Sequence, residues 1–158
     1  MSEIILKPIG WVRTDRKNPE DDFWGGTISF IELDSNQFDT DCLSGLESFS
    51  HLEIIYYFHQ IEDAKIQSRA RHPRNNTLWP KVGIFSQRAK GRPNRLGLSR
   101  CVLLEVSGLI LKVQNLDALD QSPVLDIKPY MKEFGPQGEV KQPSWATELM
   151  QNYYRSEK

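Results

Sequence analysis

The residues best suited to do chemistry in this sequence lie between positions 81 and 99. A short apolar run opens this stretch, a loop rich in cations and turn-forming residues follows, and a second apolar run closes it. A loop that only joins two strands needs about two to five residues, so a longer loop dense in arginine requires a further explanation. The turn Arg92-Pro93-Asn94 would fix the guanidinium groups of Arg88 and Arg92 for two-point contact with a phosphate or a carboxylate. Proline and asparagine are also ordinary turn residues, so a purely structural turn is the alternative.

Histidine and aspartate residues are the other chemical candidates. His59 ends an apolar run and is followed by Gln60, which places it at the mouth of a pocket in our interpretation, although a lone histidine is more often simply packed. Asp117, Asp120 and Asp126 either shape turns, bind the hydroxyl or amine groups of a ligand, or accept a proton. The sequence contains no dinucleotide-binding or phosphate-loop glycine motif, no serine nucleophile elbow and no metal-spaced histidine cluster. It therefore predicts no metal site and no Rossmann-type cofactor site.

Charge is distributed unevenly along the 158-residue chain, whose formal net charge is −1. Residues 1–64 contain 13 acidic and 4 basic residues, whereas residues 65–100 contain 10 of the 20 Lys and Arg residues and no Asp or Glu. Gathered on one face, the second segment would attract polyanions such as nucleic acid. The alternative is a solvated basic surface with acidic partners in the N-terminal third. The predicted nucleic-acid contacts are Arg69, Arg71, Arg74, Lys90 and Arg95.

Short β-strands must position these residues. Residues 101–106 and 109–114 alternate between apolar and polar side chains around Gly108, which predicts a β-hairpin. Residues 51–59 are almost continuously apolar and predict a strand that is buried on both faces or lines an interface. Further strands are predicted over 4–13, 27–33, 124–130 and at both ends of 81–99, with at most a short helix around 38–46. A mainly β fold follows, a single antiparallel β-barrel of about seven strands with short helices, because a barrel removes exposed strand edges.

A terminal helix and the overall composition complete the prediction. Trp145, Leu149 and Tyr153 recur at four-residue spacing and predict an amphipathic helix over about 143–155, which packs on the barrel or on a second subunit. We interpret residues 1–158 as one domain with its barrel core over 4–132. No apolar run is long enough for a membrane span and the first residues do not resemble a secretory signal, so the expected location is the cytoplasm.

Four segments of the chain resemble the TsaA-like family, the TrmO-type tRNA methyltransferases that use S-adenosylmethionine. They are KPIGWVRT near the start, GLESFSHLEIIYYFHQ, KVGIFSQRAKGRPNRLGLS and LDALDQSPVLDIKPY, in the order of the family and over most of residues 7–130. The resemblance implies a β-barrel methyltransferase outside the Rossmann class, acting as a homodimer with the cofactor near the subunit interface. It also implies the substrate, N6-threonylcarbamoyladenosine beside the anticodon of a tRNA, methylated on N6.

The same resemblance implies which residues bind S-adenosylmethionine. They are His59, Gln60, Arg88, Arg92, Asn94, Leu98 through its backbone, Gln114, Asn115, Leu116 and Asp117. A sulfonium cofactor suits this mixture, because its cationic sulfur favours carbonyls, carboxylates and aromatic faces while its carboxylate favours arginine. Methyl transfer needs mainly in-line positioning, with modest help in removing the N6 proton, and Asp126 is the candidate for that help. The alternatives are a divergent relative that methylates another RNA or a small molecule, and a non-enzymatic barrel that binds RNA or a protein.

Overall fold

Six antiparallel strands close into a barrel in this computed structural model, which describes residues 2–157. The strands are β1 (Gly10–Arg13), β2 (Ile28–Leu33), β3 (His51–Tyr57), β4 (Ala70–Arg71), β5 (Val82–Gly83), β6 (Leu96–Ser107), β7 (Ile110–Gln114) and β8 (Pro123–Pro129), and the α-helix is α1 (Ser144–Met150). The barrel order is β1-β2-β7-β6-β3-β8, and β4 and β5 form a separate two-stranded sheet. The predicted mainly β barrel is confirmed, with six strands in place of about seven.

The difference in strand number has its origin in the stretch 81–99. Its first apolar run forms the two-residue strand β5, which pairs with β4 outside the barrel, and then a 3-10 helix over Ile84–Ser86. Its second apolar run continues without a break into the predicted strand 101–106, so both belong to the 12-residue strand β6. The hairpin between β6 and β7 is as predicted, with Gly108 in the turn at a φ of 60°. The first half of β6 follows directly on residues 88–95, which we call the arginine loop, and its second half forms the hairpin with β7.

Alternate residues of β3 point into the barrel core. Leu52, Ile54 and Tyr56 are buried, whereas the residues between them are half-buried. Of the two alternatives predicted for 51–59, burial on both faces is therefore wrong, because a closed barrel covers only the inner face of a strand, and a strand that lines an interface stays a prediction. The same alternation places Val12 of β1 and Leu111 of β7 in the core.

The other boundaries also differ from the sequence prediction. The opening strand predicted over 4–13 is regular only from Gly10, and Ile4 and Ile5 are exposed, because Pro8 lacks the amide that a ladder requires. Two short 3-10 helices, Thr40–Leu43 and Leu46–Ser48, stand where one short helix was predicted. The terminal helix ends at Met150 and is followed by turns. Among residues 2–157, no helix has the length and apolar character that crossing a membrane requires.

The C-terminal segment, residues 143–157, lies on the loop before β2. The backbone amides of Phe23 and Trp24 donate to the carbonyl oxygens of Asn152 and Tyr153 at 3.1 and 2.8 Å. The Trp79 indole Nε1 also donates to the side chain of Glu148 in α1, at 2.8 Å. The C-terminal segment thus lies against loops of its own chain, and packing of its helix on a second subunit stays a prediction.

Replacing Gly25 with alanine is expected to displace the C-terminal segment. A Cβ at Gly25 would lie 2.0 Å from the carbonyl oxygen of Tyr154, whereas a Cβ at Gly83 would meet no atom within 4 Å. Chymotrypsin should therefore remove the segment from the Gly25→Ala protein several-fold faster than from the wild type, because local opening governs such cleavage. Gly83→Ala is the matched control, and equal cleavage rates for all three proteins would contradict the prediction.

Candidate functional site

A cavity of about 1240 Å³ opens beside the arginine loop. The loop and β6 supply one part of its lining, and the C-terminal segment supplies another. Five of the predicted cofactor residues line this cavity: Arg88, Arg92, Asn94, Leu98 and Asp117. The structure thus brings together residues that stand up to 29 positions apart in the sequence.

The arginine loop holds its own guanidinium groups in place. Arg88 Nη2 donates to the carbonyl oxygen of Leu98 at 2.6 Å, and Arg92 Nη1 donates to that of Gln87 at 2.7 Å. Asn94 adopts a φ of 63°, the left-handed conformation that asparagine tolerates better than most residues. Each guanidinium carries five N–H donors, so these single bonds orient the group and leave other donors for an anion. The predicted two-point contact of Arg88 and Arg92 with a phosphate or a carboxylate stays a prediction, beside the alternative of a purely structural turn.

Two tyrosine hydroxyls hold the carboxylate of Asp117. Tyr56 lies directly on Gly97 of the neighbouring strand, where a Cβ would come within 2.5 Å of its ring. Its hydroxyl shares one proton between the Asp117 carbonyl oxygen at 2.9 Å and Asp117 Oδ1 at 3.0 Å. The Tyr153 hydroxyl donates to the other oxygen, Oδ2. Burial, and then the charge of Asp117, raise the pKa of Tyr56 and of Tyr153 above the usual range, so both hydroxyls stay protonated donors at neutral pH.

His59 and Gln60 lie at a second, much smaller cavity of about 20 Å³, which has room for about one water molecule. Four residues line both cavities, so the two are neighbours: Tyr56, Phe58, Lys90 and Asp117. Burial lowers the pKa of His59, although the nearby Asp120 opposes this shift. The imidazole is therefore neutral at neutral pH and can accept a hydrogen bond as well as donate one.

The remaining predicted cofactor residues, 114–116, line neither cavity. Leu116 is fully buried in the barrel core. The side chain of Asn115 accepts from the amide of Gly26 at 2.8 Å, and Gln114 is the last residue of β7, opposite Ile28. Their predicted roles at the cofactor stay predictions, and in this structure they support the loop that carries Asp117.

Asp126, the predicted proton acceptor, lies away from both cavities. It stands opposite Ile55 in the pairing of β8 with β3. One carboxylate oxygen is 3.0 Å from Lys128 Nζ and the other accepts from the amide of Ile127 at 2.9 Å. Its role stays a prediction, and its location does not support it.

Acidic side chains of the N-terminal third neutralise part of the basic segment. Arg74 Nη1 and Nη2 donate to the two carboxylate oxygens of Asp22 at 3.0 and 2.9 Å. Lys90 Nζ lies 3.5 Å from Asp21 Oδ1 and donates to the carbonyl oxygen of Glu20. For these residues the alternative interpretation, a basic surface with N-terminal acidic partners, describes the structure.

Within the described residues, one of the other three predicted RNA contacts forms an ion pair with an acidic residue and two do not. Arg95 forms an ion pair with Asp63 and donates to the Tyr57 hydroxyl. Arg71 donates to the Asn75 side chain at 3.2 Å, and Arg69 is exposed. Arg69 and Arg71 are therefore the predicted contacts whose charge is left uncompensated by an ion pair among residues 2–157.

Six aromatic residues that were not among the predicted site residues line a part of the large cavity. They are Tyr56, Phe58, Phe85, Trp145, Tyr153 and Tyr154. Four-residue spacing in the sequence predicted the aromatic face of the terminal helix, but no sequence pattern predicted that this face would lie at the cavity. No group of three or more His, Cys, Asp or Glu side chains in the part of the chain that the structure describes could hold a metal ion.

Comparison with known proteins identifies the family. Residues 16–135 match the family described as the tRNA-methyltransferase O N-terminal domain. The chain belongs to this family. The predicted membership is thereby confirmed, and the C-terminal segment that reaches the cavity lies beyond the matched TrmO domain.

Curated relatives and solved structures agree with the TrmO assignment. The probable S-adenosyl-L-methionine-binding protein of Methanothermobacter thermautotrophicus is 41% identical over 138 residues, which cover 86% of this chain and 96% of that protein. The tRNA (adenine(37)-N6)-methyltransferase of Escherichia coli K12 is 41% identical over 95 residues, 58% of this chain and 40% of that enzyme. A crystal structure of TrmO superposes with a TM-score of 0.72 at 27% identity, over 89% of this chain and 64% of that chain. This chain therefore spans well under the full length of the relatives named as methyltransferases or as TrmO.

Proposed function

We propose that this protein transfers a methyl group from S-adenosylmethionine to N6 of N6-threonylcarbamoyladenosine beside the anticodon of a tRNA. Family membership supports the chemistry, since one relative is named for binding S-adenosylmethionine and another for methylating adenine 37 of tRNA. The observation that carries the proposal is the presence of Arg88 and Asp117 in one cavity. Together they offer a cation and an acceptor to a cofactor that carries groups of both signs.

The residues at the cavity fit S-adenosylmethionine. Arg88 and Arg92 have donors left for the carboxylate of the cofactor, and Asp117 can accept from its ammonium group or its ribose hydroxyls. The aromatic wall suits a sulfonium or an adenine face. The cofactor, when bound, would supply an electrophilic methyl group, and the residues that line the cavity would hold that group toward the acceptor nitrogen.

The size of the cavity leaves room for the acceptor base. Sites for small molecules occupy about 300–1,000 Å³, and this cavity measures about 1240 Å³. RNA is recognised mostly through unstacked bases of loops, which stack on aromatic side chains. Phe85 is 78% exposed and lines the cavity, so it is available for such stacking.

We propose that Arg69 and Arg71 contact RNA phosphates and that the protein acts as a homodimer.

Methylation of defined tRNA tests the proposed function. The protein should methylate tRNA purified from a strain that lacks the methyltransferase, and mass spectrometry should find the new methyl group on N6-threonylcarbamoyladenosine. The control is tRNA from a strain that cannot form the threonylcarbamoyl group, which should stay unmethylated. Cofactor binding without any change in the tRNA nucleosides would overturn the substrate. No heat of binding with S-adenosylmethionine in calorimetry would instead indicate a non-enzymatic module.

Salt dependence tests the RNA-binding residues. Replacing Arg69 and Arg71 with alanine should reduce the slope of log affinity against log salt by about 1 to 2, because each phosphate contact releases condensed counterion. Arg13, which pairs with Glu32 on β2 at 2.9 Å, is the matched control, and its alanine variant should keep the wild-type slope. An unchanged slope in the double variant would contradict the assignment of Arg69 and Arg71.

A further inference from the structure

We propose that Tyr153 is a positioning residue of the cofactor site, whose hydroxyl, together with that of Tyr56, holds the Asp117 carboxylate in the orientation that receives the cofactor. The inference rests on the proposed function, since it takes this cavity as the site of S-adenosylmethionine. Tyr153 lies 18 positions beyond the end of the matched TrmO domain, so the inference extends the cofactor site beyond that domain.

Hydrogen-bond geometry limits what Asp117 can do. An ionised carboxylate offers about four acceptor positions on its two oxygens. Tyr153 uses one position on Oδ2, and the single proton of Tyr56 lies between Oδ1 at 3.0 Å and the Asp117 carbonyl oxygen at 2.9 Å, so each carboxylate oxygen keeps a position for a ligand donor. These contacts on both sides of the carboxylate restrict its rotation about the side-chain bond, so the remaining positions have preferred directions before a ligand arrives. Both hydroxyls remain donors at neutral pH because burial raises the pKa of each tyrosine.

Two different parts of the fold provide the two tyrosines. Tyr56 comes from β3 of the barrel, where Gly97 of β6 makes room for its ring. Tyr153 comes from the C-terminal segment, whose backbone is tied to Trp24 by a 2.8 Å hydrogen bond at the same residue. The backbone of the C-terminal segment is therefore fixed at Tyr153, the residue whose hydroxyl donates to Asp117. The Asp117 carboxylate is contacted at both oxygens only while this segment is docked.

A purely structural role for Tyr153 is the competing explanation. In that case the hydroxyl only anchors the C-terminal segment through Asp117, and its loss releases the segment, which chymotrypsin detects as faster cleavage, as for Gly25→Ala. A double-mutant cycle tests whether Tyr153 acts through Asp117, and wild-type cleavage of Tyr153→Phe together with weakened cofactor binding distinguishes positioning from anchoring. The proteins are full-length wild type, Tyr153→Phe, Asp117→Asn and the double variant.

Calorimetry with S-adenosylmethionine is the measurement. Tyr153→Phe should weaken binding roughly tenfold, and Asp117→Asn should weaken it by about tenfold to a hundredfold, as expected for hydrogen bonds to charged groups. The double variant should bind like Asp117→Asn alone, because the tyrosine then has no carboxylate to position. Tyr130 lines neither cavity, so Tyr130→Phe is the control and should keep wild-type affinity.

Each other outcome has a definite meaning. Wild-type affinity in Tyr153→Phe, or losses that multiply in the double variant, would overturn the positioning role while leaving the proposed function intact. Wild-type affinity in Asp117→Asn, or no binding by the wild type, would remove the cofactor assignment and the inference together. Cofactor binding with the expected coupling but no tRNA methylation would overturn only the proposed substrate. If Tyr153→Phe does not fold, Tyr56→Phe replaces it in the cycle and must show the same coupling with Asp117→Asn.

Discussion

Alanine in place of Arg88 is expected to weaken S-adenosylmethionine binding by about 30-fold to 150-fold. Arg88 lines the large cavity, and its guanidinium group is oriented by the carbonyl oxygen of Leu98. A charge-assisted hydrogen bond is worth about 2–3 kcal/mol, and each 1.4 kcal/mol changes a dissociation constant about tenfold. Titration calorimetry measures the change directly. Arg88→Lys should recover only part of the affinity, because lysine keeps the charge and loses the planar fork.

Arg95→Ala is the control for this experiment. Arg95 belongs to the same basic segment, but it lines neither cavity and is engaged by Tyr57 and Asp63. We expect its alanine variant to bind the cofactor within about threefold of the wild type, since surface charges at a distance are screened by salt. Equal losses in the two variants would mean that general positive charge, and not the fork of Arg88, holds the cofactor.

Replacing Leu116 with alanine is expected to destabilise the fold by about 2–5 kcal/mol. Its side chain is fully buried among the core residues of the barrel, and removing a buried leucine leaves a cavity that the surroundings fill only in part. Domains are stable by only about 5–15 kcal/mol, so this loss is a large fraction of the total. Urea unfolding measures it. Cofactor affinity per folded molecule should change little, because Leu116 lines neither cavity.

Leu104→Ala is the matched control for Leu116. Leu104 is 46% exposed on β6, so truncating it should cost less than about 1 kcal/mol. If Leu116→Ala instead kept wild-type stability and lost cofactor binding, the role predicted for this residue from the family resemblance would be correct and the site would extend into the barrel.

The barrel itself was predictable because each strand carries its own signal. Period-two alternation over 101–106 and 109–114 indicated the β6–β7 hairpin, and Gly108 marked its turn. Element ends were less predictable, since they depend on partners that are distant in sequence. The run at 4–9 is apolar but lies outside the strands, whereas β6 continues through a point where two strands were predicted.

The candidate site was predictable in its loop and not in its surroundings. Arg88, Arg92 and Asn94 follow one another closely, so their common location needs only a turn. The approach of Tyr153 to Asp117 depends on the packing of the C-terminal segment, which no local pattern specifies. The sequence near a charged side chain also does not tell whether that side chain is free for RNA or paired with an aspartate. Arg74, for example, pairs with Asp22, which is 52 positions away in the sequence.

Local periodicity and motif order by themselves determined that this chain is an antiparallel barrel of the TrmO family, because strand alternation and the order of matched segments are properties of neighbouring residues. Tertiary structure alone decided that Leu116 faces the core, that Lys90 meets Asp21, and that Tyr153 reaches Asp117. Those facts depend on barrel closure and on the docking of the C-terminal segment. Both join residues far apart in sequence, whose contacts are selected by packing and burial and leave no periodic trace in the chain.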